Sequence, residues 1–232
     1  ESRLALLDRD GIDIAVVSLP PTLGWERHRE LADAYHEGIV ELAAASGGRL
    51  LPLACGACLG GFAGACVSAA AAAGSLGTLP GELGHAGQVL FVHPGPPEAA
   101  RPDAPSWWAA LASYTAQMQA AYLAWTTELA EHQESVQVIF AILAGGAPIQ
   151  LERLRSRGIE EPRTVAPNVH LETASYGRRA LALCLETHGA GQLLYGSDAP
   201  VIDSRPTLNT LSELGEGVRR AVLTENPTRL FA

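Results

Sequence analysis

The chain has 232 residues, of which 47% are apolar and 18% charged, a composition typical of a folded globular protein. Its formal net charge of −9 disfavours nucleic acid as a partner, because phosphates require a basic surface. All 16 basic residues are arginine, which excludes mechanisms that use a Schiff-base lysine, a P-loop lysine or a carbamylated lysine.

Strand and helix patterns then alternate along the chain. In chain order we predict a strand over 14–19, a helix over 26–45, strands over 49–54 and 89–92, a long helix or helix pair over 106–133, a strand over 136–141, a helix over 149–157, a strand over 169–173, a helix over 178–188, a strand over 193–195, and short helices over 207–214 and 217–223. The Gly-rich stretch 74–87 lies where a further strand is expected.

The predicted strands are apolar on both faces, as a buried parallel sheet requires. Alternation with helices favours an α/β fold of the (β/α)₈ TIM-barrel type, and a doubly wound open sheet is the alternative. The chain begins where a second strand is expected. We therefore predict one barrel domain over residues 1–232 that is incomplete at its N-terminus and lacks its first strand.

The cysteines are Cys55, Cys58, Cys66 and Cys184. Cys55 and Cys58 form a Cys-x-x-Cys pair, which can indicate a zinc or redox site. A zinc ribbon needs a second such pair, and a redox motif opens a helix, whereas Gly60 and Gly61 follow here. We interpret the cysteines as small buried residues of a cytoplasmic protein, where thiols stay reduced.

In a barrel, residues at the C-terminal ends of strands face the active site. This rule selects His93 and Asp198, whose imidazole and carboxylate suit a divalent metal. A surface histidine and a turn-forming aspartate are the alternative interpretations. His170 and Glu172 lie on the same side of one strand, because side chains alternate. They face either the barrel mouth or the helix layer, and we predict Glu172 near the site.

Four short motifs occur in the order seen in the amidohydrolase superfamily. They are Phe91-Val92-His93-Pro94, Phe140 to Pro148 with Gly145-Gly146, Tyr195-Gly196-Ser197-Asp198, and Glu225-Asn226-Pro227 through Leu230-Phe231. From about Ile12 onwards the chain resembles the branch that includes aminocarboxymuconate-semialdehyde decarboxylase and related aromatic-acid decarboxylases and hydrolases.

The resemblance implies a barrel that holds one divalent metal, zinc or, as the second choice, manganese. His93 would be a ligand, and Asp198 both a ligand and a catalytic group for proton transfer. Two departures from the family pattern are visible. The sequence contains no His-x-His pair, which in the family ends the first strand and supplies two metal ligands. Without these two ligands, the metal can be absent from this chain. Ile142-Leu143 replaces a histidine that usually precedes the glycines.

The leading functional hypothesis is a metal-dependent hydrolase or decarboxylase that acts on a small carboxylated or cyclic substrate. Arg178 or Arg179 is a candidate to hold a substrate carboxylate, with Glu172 beside it. The alternatives are a non-catalytic barrel that binds a ligand or partner, and a metal-free lyase or hydrolase with Asp198 and Glu172 as an acid–base pair. We expect no membrane partner and a homodimer. The aromatic residues of the long helix form either a helix packing stripe or an intersubunit face; they are Trp107, Trp108, Tyr114 and Trp125.

Overall fold

The computed structural model describes residues 3–97, 103–126, 135–159 and 166–231. In these ranges seven parallel strands form one sheet, and each strand pairs with its neighbours in the chain. They are β1 (Ala15–Val17), β2 (Leu50–Cys55), β3 (Gly64–Ser68), β4 (Val89–His93), β5 (Val138–Phe140), β6 (Val169–Glu172) and β7 (Leu193–Leu194). A doubly wound sheet reverses its strand order at a switch point. The unbroken order therefore excludes that alternative and confirms the barrel type.

Helices follow most of the strands, whereas β2 leads directly into β3. The helices of the described residues are α1 (Arg3–Asp10), α2 (Arg29–Ala45), α3 (Ala69–Ala73), α4 (Leu79–Ala86), α5 (Tyr114–Ala124), α6 (Ile142–Arg155), α7 (Arg178–His188), α8 (Arg205–Glu213), α9 (Glu216–Arg220) and α10 (Asn226–Phe231). Single π-helical turns precede α5 and α10. In this part of the chain, no helix combines the length and apolar character that a membrane crossing needs.

The edges of the sheet are β1 and β7, and no described strand pairs with their outer sides. Ile14 and Val16 beside this open edge are 58% and 38% exposed. Helix α1 lies across it, because Arg3 hydrogen-bonds to Ala199 in the loop after β7. The barrel is thus closed everywhere except for one seam between its first and last described strands.

The sequence predictions differ from the structure in three places. Strand β3 was not predicted, and the stretch 74–87, expected to hold a strand, contains α4 instead. Helix α6 is assigned from Ile142, but its residues up to Gly146 have left-handed φ, so its right-handed part begins within two residues of the predicted start. The long helix predicted over 106–133 is helical up to residue 126, and its remainder lies outside the described residues. The helix over 178–188 is confirmed.

The two larger of three apolar clusters in the described residues lie on the two sides of the sheet. Outside the sheet, Tyr122 of α5 and Trp125, directly after α5, pack edge-on against Phe140 of β5, with ring centroids 5.4 and 6.3 Å apart. Inside the sheet, strand side chains such as Leu53 and Ile139 pack with Leu230 and Phe231 of α10. Helix α10 therefore fills part of the barrel interior.

The four cysteines are free thiols, and three of them, Cys55, Cys66 and Cys184, are buried. Burial raises the pKa of Cys55 and of Cys184 to about 12. These thiols are therefore protonated and inert at neutral pH, in agreement with the interpretation as core residues. Cys58 is half-buried beside the outer core cluster.

Candidate active site

A cavity of about 1420 Å³ extends from the barrel interior to the open seam, and residues at the C-terminal ends of several strands line it. His93 is the last residue of β4, Glu172 is the last residue of β6, and Asp198 follows β7; all three line this cavity. The structure therefore brings together three residues that the strand-end rule selected. Much of the remaining wall is apolar and includes Phe91 and Ile142.

A hydrogen bond to the backbone of the next residue holds the His93 ring. Its Nδ1 lies 2.9 Å from the carbonyl oxygen of Pro94. A carbonyl only accepts hydrogen bonds, so Nδ1 carries the proton, and in the neutral ring Nε2 keeps a free lone pair. Burial lowers the pKa of His93, against a smaller effect of the Pro94 bond, and so favours the neutral ring. This is the form that binds a metal ion.

The Glu172 carboxylate is fixed by two backbone donors. The amide of Ala174 donates to Oε1 at 2.6 Å, and the amide of Ile142 donates to Oε2 at 3.1 Å. Burial raises the pKa of Glu172 to about 7; the two amide bonds oppose this rise and the nearby charge of Asp198 adds to it. At neutral pH this carboxyl group is thus divided between its protonated and ionised forms.

Gly196 makes room for Glu172. A Cβ atom at this position would lie 1.1 Å from Oε1 of Glu172. The motif Tyr195-Gly196-Ser197-Asp198 therefore needs glycine for space at its second position. The sequence offered this glycine only as part of a family motif.

Asp198 adopts a left-handed backbone conformation, with φ of 48°, which aspartate tolerates better than most residues. Its carbonyl oxygen accepts hydrogen bonds from the amides of Val201 at 2.8 Å and Ile202 at 3.3 Å. Burial raises the pKa of the Asp198 carboxyl group. The loop thus turns sharply at the residue that was predicted to be catalytic.

The segment Ile142–Gly146 forms a left-handed turn at the start of α6. All five residues have positive φ, between 46° and 82°. Ile142 lines the cavity, while Leu143 is buried in the core at 1% exposure. At the position of the family's histidine, this chain therefore presents an aliphatic wall and the backbone amide that binds Glu172.

The other predicted site residues lie apart from this cavity. Arg178 and Arg179 are exposed at the start of α7 and do not line it, so a contact with substrate stays a prediction without support from the cavity wall. His170 is fully buried, and its Nε2 lies 2.9 Å from Oε1 of Gln137. It lies two residues before Glu172 on β6, on the same side of that strand.

The described side chains near the cavity supply fewer ligands than a zinc site needs. Structural and catalytic zinc sites use at least three protein ligands. Within the described ranges, no three His, Cys, Asp or Glu side chains come together in such a group. His93 and Asp198 therefore have suitable chemistry for two ligands but do not complete a site alone.

A family model described as amidohydrolase matches residues 20–232. The chain belongs to the amidohydrolase family. The match includes β2 to β7 and hence His93, Glu172 and Asp198. The resemblance predicted from the four short motifs is thereby confirmed.

Solved structures with the same fold include several decarboxylases. The chain is similar to 5-carboxyvanillate decarboxylase LigW from Sphingomonas paucimobilis, with a TM-score of 0.77 and 16% identity over 99% of this chain and 82% of that one. It is similar to 2,6-dihydroxybenzoate decarboxylase from Rhizobium, with a TM-score of 0.77 and 18% identity over 100% and 87%.

A dihydroxybenzoic acid decarboxylase from Polaromonas sp. JS666, with bound manganese and the inhibitor 2-nitroresorcinol, gives a TM-score of 0.75 and 17% identity over 99% of this chain and 84% of that one. No protein of curated function matches this amidohydrolase in sequence. The structural likenesses establish its fold, and the family model establishes its family.

Proposed function

We propose that this amidohydrolase is a metal-dependent decarboxylase or hydrolase of a small carboxylated or cyclic substrate, and that an aromatic acid is the first substrate to test. The observation that carries the proposal is the convergence of His93, Glu172 and Asp198 on one cavity whose other walls are largely apolar. The aromatic-acid decarboxylases of the same fold support it.

His93 and Asp198 would hold one divalent metal ion. A complete site needs at least one more ligand, because no group within the described ranges completes the set. A metal ion there supplies Lewis-acid polarisation of a substrate oxygen. Zinc suits imidazole and carboxylate ligands, and the manganese bound in the Polaromonas decarboxylase makes that ion the second to test.

The cavity walls would orient an aromatic substrate. Phe91, Tyr114 and Ile142 line it and offer apolar contact to a ring. Loss of carbon dioxide leaves an electron pair on the ring carbon, to which a proton must be delivered. Burial raises the pKa of the carboxyl groups of both Glu172 and Asp198, so each can hold a proton in this cavity and pass it on.

Metal analysis and a decarboxylation assay test the proposal. We expect about one zinc or manganese ion per chain, as for a mononuclear site, and release of carbon dioxide from a hydroxybenzoic acid. Asp198→Asn should lower turnover by about a hundredfold or more, as for loss of a general acid or base. Asp33→Asn is the matched control, because Asp33 is an exposed carboxylate on α2 that does not line the cavity. Absence of bound metal, with no gain on adding either ion, would contradict the proposal.

A second candidate is a metal-free lyase or hydrolase. It is favoured by the two carboxyl groups of Glu172 and Asp198 in one cavity, one of them held by two backbone amides. Turnover that survives a chelator but is lost in Glu172→Gln would support this candidate over the first. Full turnover in Asp198→Asn would instead favour a barrel whose role is to bind a ligand or partner.

We also propose a cytoplasmic homodimer. Trp107 and Leu111, which precede α5, are 53% and 67% exposed, an unusual exposure for large apolar side chains that is typical of contact surfaces. Light scattering of the purified protein should give twice the chain mass, and Leu111→Asp should give the monomer. A monomeric wild-type protein would contradict this proposal.

A further inference from the structure

Helix α1 and the loop over residues 196–204, here called the site loop, meet across the open seam of the barrel. Nη1 of Arg3 donates a hydrogen bond to the carbonyl oxygen of Ala199 at 2.8 Å. At the far end of the loop, the Ser204 hydroxyl donates to Oδ2 of Asp10 at 2.9 Å. Both ends of α1 thus contact the loop that carries Asp198, one beside Asp198 and one six residues later.

The site loop needs such external support. It follows β7, which has two residues and, in the described part of the sheet, pairs on one side only. Within the loop, Asp198 occupies a left-handed conformation that its own backbone bonds to Val201 and Ile202 hold locally. Among the described residues, strand pairing therefore supports the start of the loop from one side only, and contacts outside the sheet must fix its position relative to the cavity.

Helix α1 is itself attached to the sheet. The guanidinium group of Arg49, directly before β2, donates to Oδ1 of Asp8 at 2.6 Å and to the carbonyl oxygens of Ile12 and Asp13 at 2.7 and 2.9 Å. A continuous series of hydrogen bonds thus runs from the start of β2 through α1 to the site loop.

The charged side chains of α1 favour strong hydrogen bonds to the site loop. Arg3 lines the cavity and, within the described residues, forms no ion pair with a carboxylate, whereas Arg220, also at the cavity, pairs with Glu225 at 2.8 Å. The hydrogen bond from Arg9 lowers the pKa of Asp10, so the Asp10 carboxylate is ionised when it accepts from Ser204. Hydrogen bonds with one charged partner are stronger than neutral ones.

From this geometry we propose that α1 is a clamp for the site loop, with Arg3 and Asp10 as positioning residues for Asp198. The clamp joins the two edges of the open sheet and fixes where the Asp198 carboxylate stands in the cavity. Its effect on chemistry rests on the proposed function; its effect on the loop does not.

Amide hydrogen exchange tests the clamp directly. The amides of Val201 and Ile202 are bonded to Asp198 and report opening of the site loop. In Arg3→Met, and separately in Ser204→Ala, we expect them to exchange about tenfold faster, as for loss of one hydrogen bond. Exchange in β4 should not change. Arg3→Lys should restore slow exchange in part, since an ammonium group can still donate to the Ala199 carbonyl.

The control is Arg153→Met, which removes an exposed arginine from α6 and should leave site-loop exchange unchanged. The clamp is refuted if the site loop exchanges at the wild-type rate in both Arg3→Met and Ser204→Ala. It is also refuted if exchange rises equally in β4, because that result indicates general destabilisation.

The functional readout separates the clamp from the proposed function. In Arg3→Met we expect manganese to bind about tenfold more weakly, and turnover to fall with KM less affected, because Asp198 is displaced while the ring-binding walls remain. If the wild-type protein neither binds metal nor turns over substrate, the proposed function fails, and hydrogen exchange still decides the clamp. If metal binding and turnover are normal in a variant whose loop exchanges faster, the positioning role of Arg3 fails.

Discussion

Gly196 and Glu172 meet in a space that leaves no room for a methyl group. In Gly196→Ala the added Cβ would overlap Oε1 of Glu172 at 1.1 Å, so the carboxylate must leave its two backbone donors. We expect a loss of about 2–4 kcal/mol in the free energy of unfolding and loss of activity. Urea unfolding and a turnover assay measure the two effects.

The control for this substitution is Gly38→Ala, in the middle of α2, where a Cβ would meet nothing within 4 Å. Alanine there should keep or raise stability by up to about 1 kcal/mol, because it favours the helix. Equal stability of the two variants would show that Glu172 can move without cost.

His170 and Glu172, two buried titratable residues of β6, should have opposite effects on how the free energy of unfolding changes with pH. Burial, with a smaller effect of Arg229, lowers the pKa of His170 from 6.5 to about 4. Between these values the unfolded chain binds a proton that the folded chain does not, so this group makes stability rise with pH. Burial raises the pKa of Glu172 from 4.5 to about 7. In that window the folded chain holds the extra proton, and stability falls as pH rises.

The substitutions His170→Gln and Glu172→Gln should therefore change the slope of unfolding free energy against pH in opposite directions. Between pH 4.5 and 6.5, the slope should become more negative in the first variant and more positive in the second. Each change is at most about 1.4 kcal/mol per pH unit. Chemical denaturation across this range measures both slopes, and curves parallel to the wild type would refute the assignment.

At the scale of elements, the left-handed turn of α6 is held by α5. The Gln119 amide donates to the carbonyl oxygen of Gly145 at 2.6 Å, and a Cβ on Gly145 would lie 2.5 Å from the Thr115 carbonyl oxygen. A left-handed conformation costs a residue with a side chain about 1–2 kcal/mol. Close packing against α5 therefore selects glycine at 145.

The neighbouring glycines provide a matched pair. Both have positive φ, but a Cβ on Gly146 would meet only Cδ1 of Ile149, at 3.9 Å. Gly146→Ala should therefore cost only the backbone strain, about 1–2 kcal/mol, whereas Gly145→Ala adds an overlap with α5 and should cost clearly more. Thermal or urea unfolding compares them, and equal losses would show that α5 yields at this contact.

These elements also show what the sequence could predict. His93, Glu172 and Asp198 were found because each follows an apolar run, and parallel strands place such ends on one face. Strand β3 was missed because Gly64 and Ala65 have weak strand propensity. Glycine is needed there, since a Cβ on Gly64 would lie 2.2 Å from the Val89 carbonyl oxygen.

Other features have weaker signals in the sequence. The substrate contact of Arg178 stays a prediction, because α7 places this residue on the exposed outer layer and not at the cavity wall. The Gly145-Gly146 pair looked like a break before a helix, whereas it is part of a left-handed turn that opens one. The backbone amide of Ile142 that holds Glu172 has no signature in a sequence, because every residue except proline carries one.

At the scale of the whole molecule, α10 ties the chain end to the last described strand. Nδ2 of Asn226 donates to the carbonyl oxygens of Ala190 at 2.7 Å and Leu193 at 2.8 Å, and Asn226 is 2% exposed. Asn226→Leu should cost about 2–4 kcal/mol, because buried carbonyls lose their donors. Thermal unfolding measures this cost. Thr228→Ala, at an exposed position of the same helix, should change little, and equal effects would refute the role of Asn226.

The contacts that α1 makes across the seam should open before the rest of the molecule unfolds. Strands pair with their neighbours in the chain, whereas the Arg3 and Ser204 bonds join residues 196 and 194 positions apart. Closing a longer loop costs more chain entropy, and isolated contacts at the edge of a fold open before a packed core. On warming, catalytic activity should therefore disappear at a lower temperature than the signal of Trp125, which is buried against β5. The protein would then be inactivated while still folded, and would recover on cooling.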